Sequence, residues 1–227
     1  MSRKASRHRL LRRRPLLLLS GAVASLAGYV ALAVLAAHQQ FFAIDYGTRA
    51  WVRIIQKEAE YLPWAVITQL GGTLGVLALI AAGMAFLTWR GLRRWALALP
   101  AIMAGAGALA TIFKWSIQRA RPDESPWGFP SGHTLSLVVF FGLMVWLVAT
   151  ASQQRRRWRL LACALCVLAV LLVAFSRLYL DRHWLSDVAG GLTLGLGFLL
   201  LVIWVIEVLT VDRTIIPARG AGPTEEP

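Results

Sequence analysis

Two histidines set the chemistry that this sequence can support. His183 and Asp187 are four residues apart, one helical turn. A carboxylate at that spacing can hold one imidazole nitrogen and leave the other free as a nucleophile or base. His133 supplies a second imidazole, suited to protonating a leaving group. Cations accompany them. Lys114 and Arg121 are seven apart, two turns along one face of a helix, with Pro122 expected to stop that helix and hold Arg121 near its end; Arg177 adds a third. Pro130-Ser131-Gly132-His133 reads as a helix start, where unpaired N–H groups favour an anion and Gly132 lets backbone approach it. The set suits a multiply charged anion, most simply a phosphate, and phosphoryl transfer through a phosphohistidine. No carboxylate cluster suited to Mg2+ accompanies it, so neither a metal nor another cofactor is expected.

The elements that must position these residues follow from composition. Of 227 residues, 58% are hydrophobic and 15% charged, whereas a water-soluble domain carries about a quarter charged residues. The excess cannot be hidden in one soluble core, so lipid is the expected solvent. Six apolar runs approach the roughly 20 residues that span a bilayer: about 15–37, 63–88, 96–113, 131–150, 160–176 and 188–208. All should be helices, because open strands leave backbone groups unsatisfied in lipid. The fold class is therefore all-α, an integral membrane bundle of six helices with short loops. The domain plan is a basic cytoplasmic segment 1–14, a membrane domain 15–210 holding the motifs of 114–187, and a disordered cytoplasmic tail 211–227.

Charge fixes the expected orientation. The net charge of +13 lies in bursts between uncharged runs rather than over one surface, which argues against nucleic acid. Sixteen Lys and Arg fall in the N-terminal segment, the 89–95 and 151–159 turns and the tail, against eight on the other side. The positive-inside rule puts both termini in the cytoplasm, with the basic segments against anionic lipids of that face. Lys114 to Pro122, Pro130 to His133 and Ser176 to Asp187 then share the opposite, outer side. The first run is too long for a signal-peptide core and is expected to be retained.

Several other residues have plain expected roles. Arg119 and Arg182 read as snorkelling anchors at span ends, and Asp123, Glu124 and Asp181 as solvated loop charges. Glu207 is expected to reach the headgroups, and His8 and His38 to be interfacial. Trp64, Trp89, Trp95, Trp115, Trp127, Trp158 and Trp184 mark an aromatic belt. Residues 45–61 place Trp51, Ile54, Ile55 and Glu58 at the spacing of an amphipathic surface helix. Gly71 with Gly75, and Gly191 with Gly195, are spaced for close helix packing. Cys163 and Cys166, inside an apolar run, read as small buried packing residues rather than a redox pair.

Lys114-x6-Arg121-Pro122, Pro130-Ser131-Gly132-His133 and Ser176-Arg177-x5-His183-x3-Asp187 together resemble the three-part signature of the type 2 phosphatidic acid phosphatase superfamily. The resemblance implies that His183 accepts the phosphoryl group with Asp187 as its partner, and that His133 protonates the leaving oxygen. It also implies that Lys114, Arg121, Ser131, Gly132 and Arg177 hold the phosphate. Implied substrates are lipid phosphates or pyrophosphates at the outer leaflet of a bacterial-type inner membrane: undecaprenyl pyrophosphate, phosphatidate, phosphatidylglycerol phosphate or lipid A. Two other readings compete with hydrolysis: a phosphotransferase using the same site, and a non-enzymatic transporter or lipid-binding protein. The last expects ionisable groups at mid-bilayer, whereas these sit at span ends.

Overall fold

In the computed structural model the backbone is described for residues 2–150 and 156–215, and the side chains for 14–150 and 156–209. Eight helices follow in order: α1 Ser2–Ala37, α2 Ala43–Ile55, α3 Tyr61–Gln69, α4 Thr73–Trp89, α5 Arg93–Ile117, α6 Gly132–Thr150, α7 Arg156–Tyr179 and α8 Leu185–Ile215. Among the described residues five are long and apolar enough to cross a membrane, and the segment Glu58–Gln69 with α4 passes the same test as a pair bent by 48°, a broken span or a re-entrant loop. The all-helical membrane architecture read from hydropathy is the one observed. The flanks complete the two short runs, as α5 and α7 extend well beyond 96–113 and 160–176.

The burial pattern explains the solvent. Leu99, Ala106, Leu135, Val139, Leu143, Leu199 and Ile203 form the interior of α5, α6 and α8. Leu16, Leu17, Val30, Leu74, Leu97 and Leu165 stand on the outside. A belt of exposed leucine and valine around a folded bundle has no place in water. α8 is the central helix, packed by α1, α6, α5 and α7. Its seam with α6 depends on small residues: a side chain on Gly191 would meet the Ser131 carbonyl at 2.5 Å, and one on Gly195 the Leu135 carbonyl at 3.1 Å. That pair packs as its spacing predicts.

Three elements depart from the sequence reading. The run 63–88 is two helices, broken between Gln69 and Thr73, where Gly72 leaves the helical conformation for an extended one (φ −75°, ψ 169°). Gly71 lies against His133, where an added side chain would meet the His133 Cβ at 2.9 Å, while Gly75 packs against Gln69 and Leu70 at the break itself. The surface helix over 45–61 ends at Ile55, and Glu58 falls in a separate 3-10 turn, Glu58–Glu60. At the other end of the chain α8 runs to Ile215, so 211–215 is helical where a disordered tail was expected; 216–227 lie outside the described residues. Glu207 pairs with Arg14 at 3.0 Å, tying α8 to α1. Cys163 and Cys166 are free and half-buried.

The bundle thus has two unlike ends. The C-terminal ends of α1, α5 and α7 and the N-terminal ends of α6 and α8 meet at one of them, together with α2 and the 118–131 loop. Replacing Gly191 with Leu should force α6 and α8 apart at that end. Overpacking of this kind costs about 1–3 kcal/mol, and a lowered melting temperature in detergent is the expected result.

Candidate active site

The site is assembled from three chain segments. α5 ends when Gln118 adopts a left-handed conformation (φ 49°), its N–H closing on the Lys114 carbonyl. Arg121 is therefore beyond the helix, and the two-turns-apart reading of Lys114 and Arg121 is corrected: Pro122 does not terminate α5. The loop folds back instead. The Gly128 N–H donates to the Arg119 carbonyl at 2.8 Å, and the Arg121 N–H to the Ser125 carbonyl at 2.9 Å. Trp127, also left-handed at φ 69°, turns its carbonyl inward, where Lys114 Nζ donates at 2.6 Å and Arg121 at 3.4 Å. The two cations converge as expected, but through loop geometry rather than helical periodicity.

The second segment starts α6. The Ser131 carbonyl accepts the Leu135 N–H at 3.0 Å, its N–H donates to the Asp187 carbonyl at 3.0 Å, and its hydroxyl accepts from Thr134 at 3.1 Å. Ser131 is buried, and Gly132 lies beside the Lys114 side chain. His133 follows, half-buried, with Arg177, His183, Lys114 and Arg121 as its electrostatic neighbours.

The third segment joins α7 to α8. The Arg177 carbonyl accepts the N–H groups of Arg182 and His183, at 3.0 and 3.2 Å, so the turn wraps onto the end of α7. Arg177 itself is buried and donates to the Thr68 hydroxyl of α3 at 2.9 Å, leaving its Nε without a partner. His183 precedes α8, and its Nδ1 lies 3.4 Å from Asp187 Oδ2. That oxygen also accepts the Trp184 N–H at 3.0 Å, the reach-back of a carboxylate in the first helical turn.

Burial pushes the His183 pKa down to about 4; cationic Lys114 and Arg177 act in the same direction, and Asp187 opposes them. The imidazole is accordingly neutral near pH 7. With Nδ1 facing Asp187, Nε2 carries the free lone pair. All eight residues singled out in the sequence therefore gather at one end of the bundle.

Sequence reasoning missed several others. Arg119 is 1% exposed, not a snorkelling anchor; it donates to Asp187 Oδ1 and to the Ser186 hydroxyl, each at 2.7 Å. Trp184 is buried rather than part of a belt; its indole N–H donates to the Ala120 carbonyl at 3.0 Å. Asp181 takes a two-pronged bond from Arg49 at 2.8 and 2.7 Å, and Arg182 pairs with Asp123 at 3.1 Å. Thr68 carried one signal, a hydroxyl three residues before the Gly71-Gly72 pair.

A six-span bundle with two histidines and a ring of cations at one end defines an integral membrane phosphatase. A sequence model of the PAP2 superfamily matches residues 95–210. Phosphatidylglycerophosphatase B of Bacillus subtilis is 31% identical over 148 residues, covering 60% of this chain and 70% of that protein. Lipid phosphate phosphatase delta of Arabidopsis thaliana is 28% identical over 151 residues, 59% of this chain and 35% of its own length. The crystal structure of a transmembrane PAP2-type phosphatidylglycerolphosphate phosphatase from Bacillus subtilis superposes with a TM-score of 0.68 at 25% identity, covering 87% of this chain and 98% of that one. The chain belongs to the PAP2 superfamily, and it is a lipid phosphatase of that type.

The neutral state of His183 is directly measurable. In a histidine-labelled NMR titration of the detergent-solubilised protein, its imidazole should protonate well below the ordinary value of about 6.5. A midpoint at the ordinary value would contradict the burial argument.

Proposed function

We propose that the protein removes the terminal phosphate of phosphatidylglycerophosphate or a closely similar lipid phosphate, by way of a phosphohistidine on His183 and without a metal. One observation carries the reading: a buried imidazole 3.4 Å from a carboxylate has Lys114 and Arg177 as electrostatic neighbours, and it shares both with a second imidazole, His133, which also has Arg121. A contact of that length in the free enzyme is ordinary for a catalytic pair that tightens when the imidazole becomes charged. The headgroup follows the Bacillus subtilis relatives, whose names specify it.

The step balances simply. Nε2 of His183 attacks phosphorus, the bond to the lipid oxygen breaks, and His133 gives that oxygen its proton. Asp187 holds Nδ1–H while the ring carries positive charge. Water then attacks the phosphohistidine, His133 takes the proton from it, and inorganic phosphate leaves. Lys114, Arg121 and Arg177, with the N–H groups at the start of α6, neutralise the equatorial oxygens throughout. Asp187 is already engaged by Arg119, Trp184 and His183, so the remaining donor set is cationic or imidazole and suits an anion rather than Mg2+.

The orientation belongs to the same reading. Charge bias supports both termini in the cytoplasm of a bacterial inner membrane, with the site at the outer leaflet. A cysteine placed at Glu124, in a background lacking Cys163 and Cys166, should react with an impermeant maleimide added outside intact cells.

His183→Ala should abolish phosphate release from phosphatidylglycerophosphate in mixed micelles while leaving the melting temperature close to that of the parent. Activity should survive EDTA. Full retention of turnover by the variant would refute the nucleophile, and strict loss with chelator would refute the metal-free route. Assaying phosphatidate, a polyprenyl pyrophosphate and lipid A side by side tests the headgroup.

A further inference from the structure

Behind Asp187 lies a buried charge network that the proposed reaction does not use. Arg119, Asp45, Asp187 and Ser186 are at most 5% exposed. Arg119 spreads its guanidinium over both carboxylates. One terminal nitrogen donates to Asp187 Oδ1 and the Ser186 hydroxyl at 2.7 Å each. The other donates to the Gln40 carbonyl at 2.6 Å and lies 3.4 Å from Asp45 Oδ2. Asp45, from α2, accepts the Ser186 N–H at 2.8 Å and its hydroxyl at 2.7 Å. The ring of Phe41 covers the guanidinium, with its carbon 4.6 Å from the ring centroid.

We infer that Arg119 and Asp45 are positioning residues for phosphoryl transfer, fixing and charge-tuning the Asp187 carboxylate that backs His183. The inference rests on His183 as nucleophile. Two physical arguments lead to it. Asp187 has one oxygen for His183 and Trp184, so its rotation is set by whatever holds the other, and Arg119 does. The charge count points the same way. Arg119 alone would cancel Asp187 and leave nothing to stabilise a positively charged imidazole. With Asp45 as a second carboxylate on the same guanidinium, the cluster keeps one net negative charge beside His183. α2 thereby becomes part of the catalytic apparatus, though none of its residues is placed at the phosphate.

Arg119→Lys keeps the charge and loses the fork; Asp45→Asn keeps the shape and loses the charge. Each should lower kcat on the order of tenfold to a hundredfold. KM, and the inhibition constant of inorganic phosphate, should stay within about threefold, because the groups proposed to hold the anion are untouched. The doubly substituted protein should lose less than the product of the two single effects, since both act through one carboxylate. Melting temperatures report folding, and Asp45→Asn serves where Arg119→Lys fails to fold. Unchanged kcat in a folded variant, or equal losses in kcat and phosphate affinity, overturns the inference. His183→Ala assayed alongside separates the two proposals: an active His183 variant sinks the nucleophile, whereas an inactive one beside a fully active Asp45→Asn sinks only the positioning role.

Discussion

A carboxylate with no exposed surface must have every lone pair answered, because an unpaired buried charge costs several kcal/mol. Asp187 meets that demand by drawing three other parts of the chain to one point. Its side chain takes Arg119 from the 118–131 loop, Trp184 N–H from the α7–α8 turn and the His183 ring. Its backbone carbonyl takes the Ser131 N–H at the start of α6. Remove the carboxylate and the 118–131 loop and the α7–α8 turn lose the partner that defines their place, while the Ser131 N–H keeps the backbone carbonyl. The alignment of α6 with α8, secured below by Gly191 and Gly195, is thus set at its upper end by a single residue.

The broken span serves the same end of the bundle. Turning at Gly71 and Gly72 brings two contacts: the Thr68 hydroxyl on Arg177 and the Gly71 backbone against His133. Both histidine-bearing segments are then packed from behind, His183 by Arg119 and α2 through Asp187, and His133 by the break. On the proposed reaction, rigid support of this kind would hold the two imidazoles in place before substrate arrives.

How much of this was legible in the sequence depended on the range of the interaction. His183 with Asp187 is a local pair, and spacing revealed it. Six spans followed from hydropathy, since lipid imposes a length and forbids open strands. Arg119 was misread because an arginine near a span end looks the same whether it snorkels or is buried. Its distinguishing partner, Asp45, lies 74 residues away. Lys114 and Arg121 were paired correctly by the wrong route, as no periodicity shows that Gln118 and Trp127 adopt left-handed backbone. The break at 70–72 did leave a trace, two adjacent glycines in an apolar run, which a count of hydrophobic length alone passes over.

Helix polarity explains why cations and anion sites meet at this rim rather than at mid-bilayer. Lys114 and Arg177 stand in the last turns of α5 and α7, where partial negative charge on unpaired carbonyls favours them. α6 runs the opposite way and begins there, offering N–H groups of positive character. An up-down bundle always alternates such ends, so two helices ending and one beginning at the same level make a pocket of cations roofed by donors. On the proposed function, a phosphate entering it would exchange water for groups already oriented. Placing the same charges ten residues deeper would remove the helix termini that stabilise them and leave only the cost of burial.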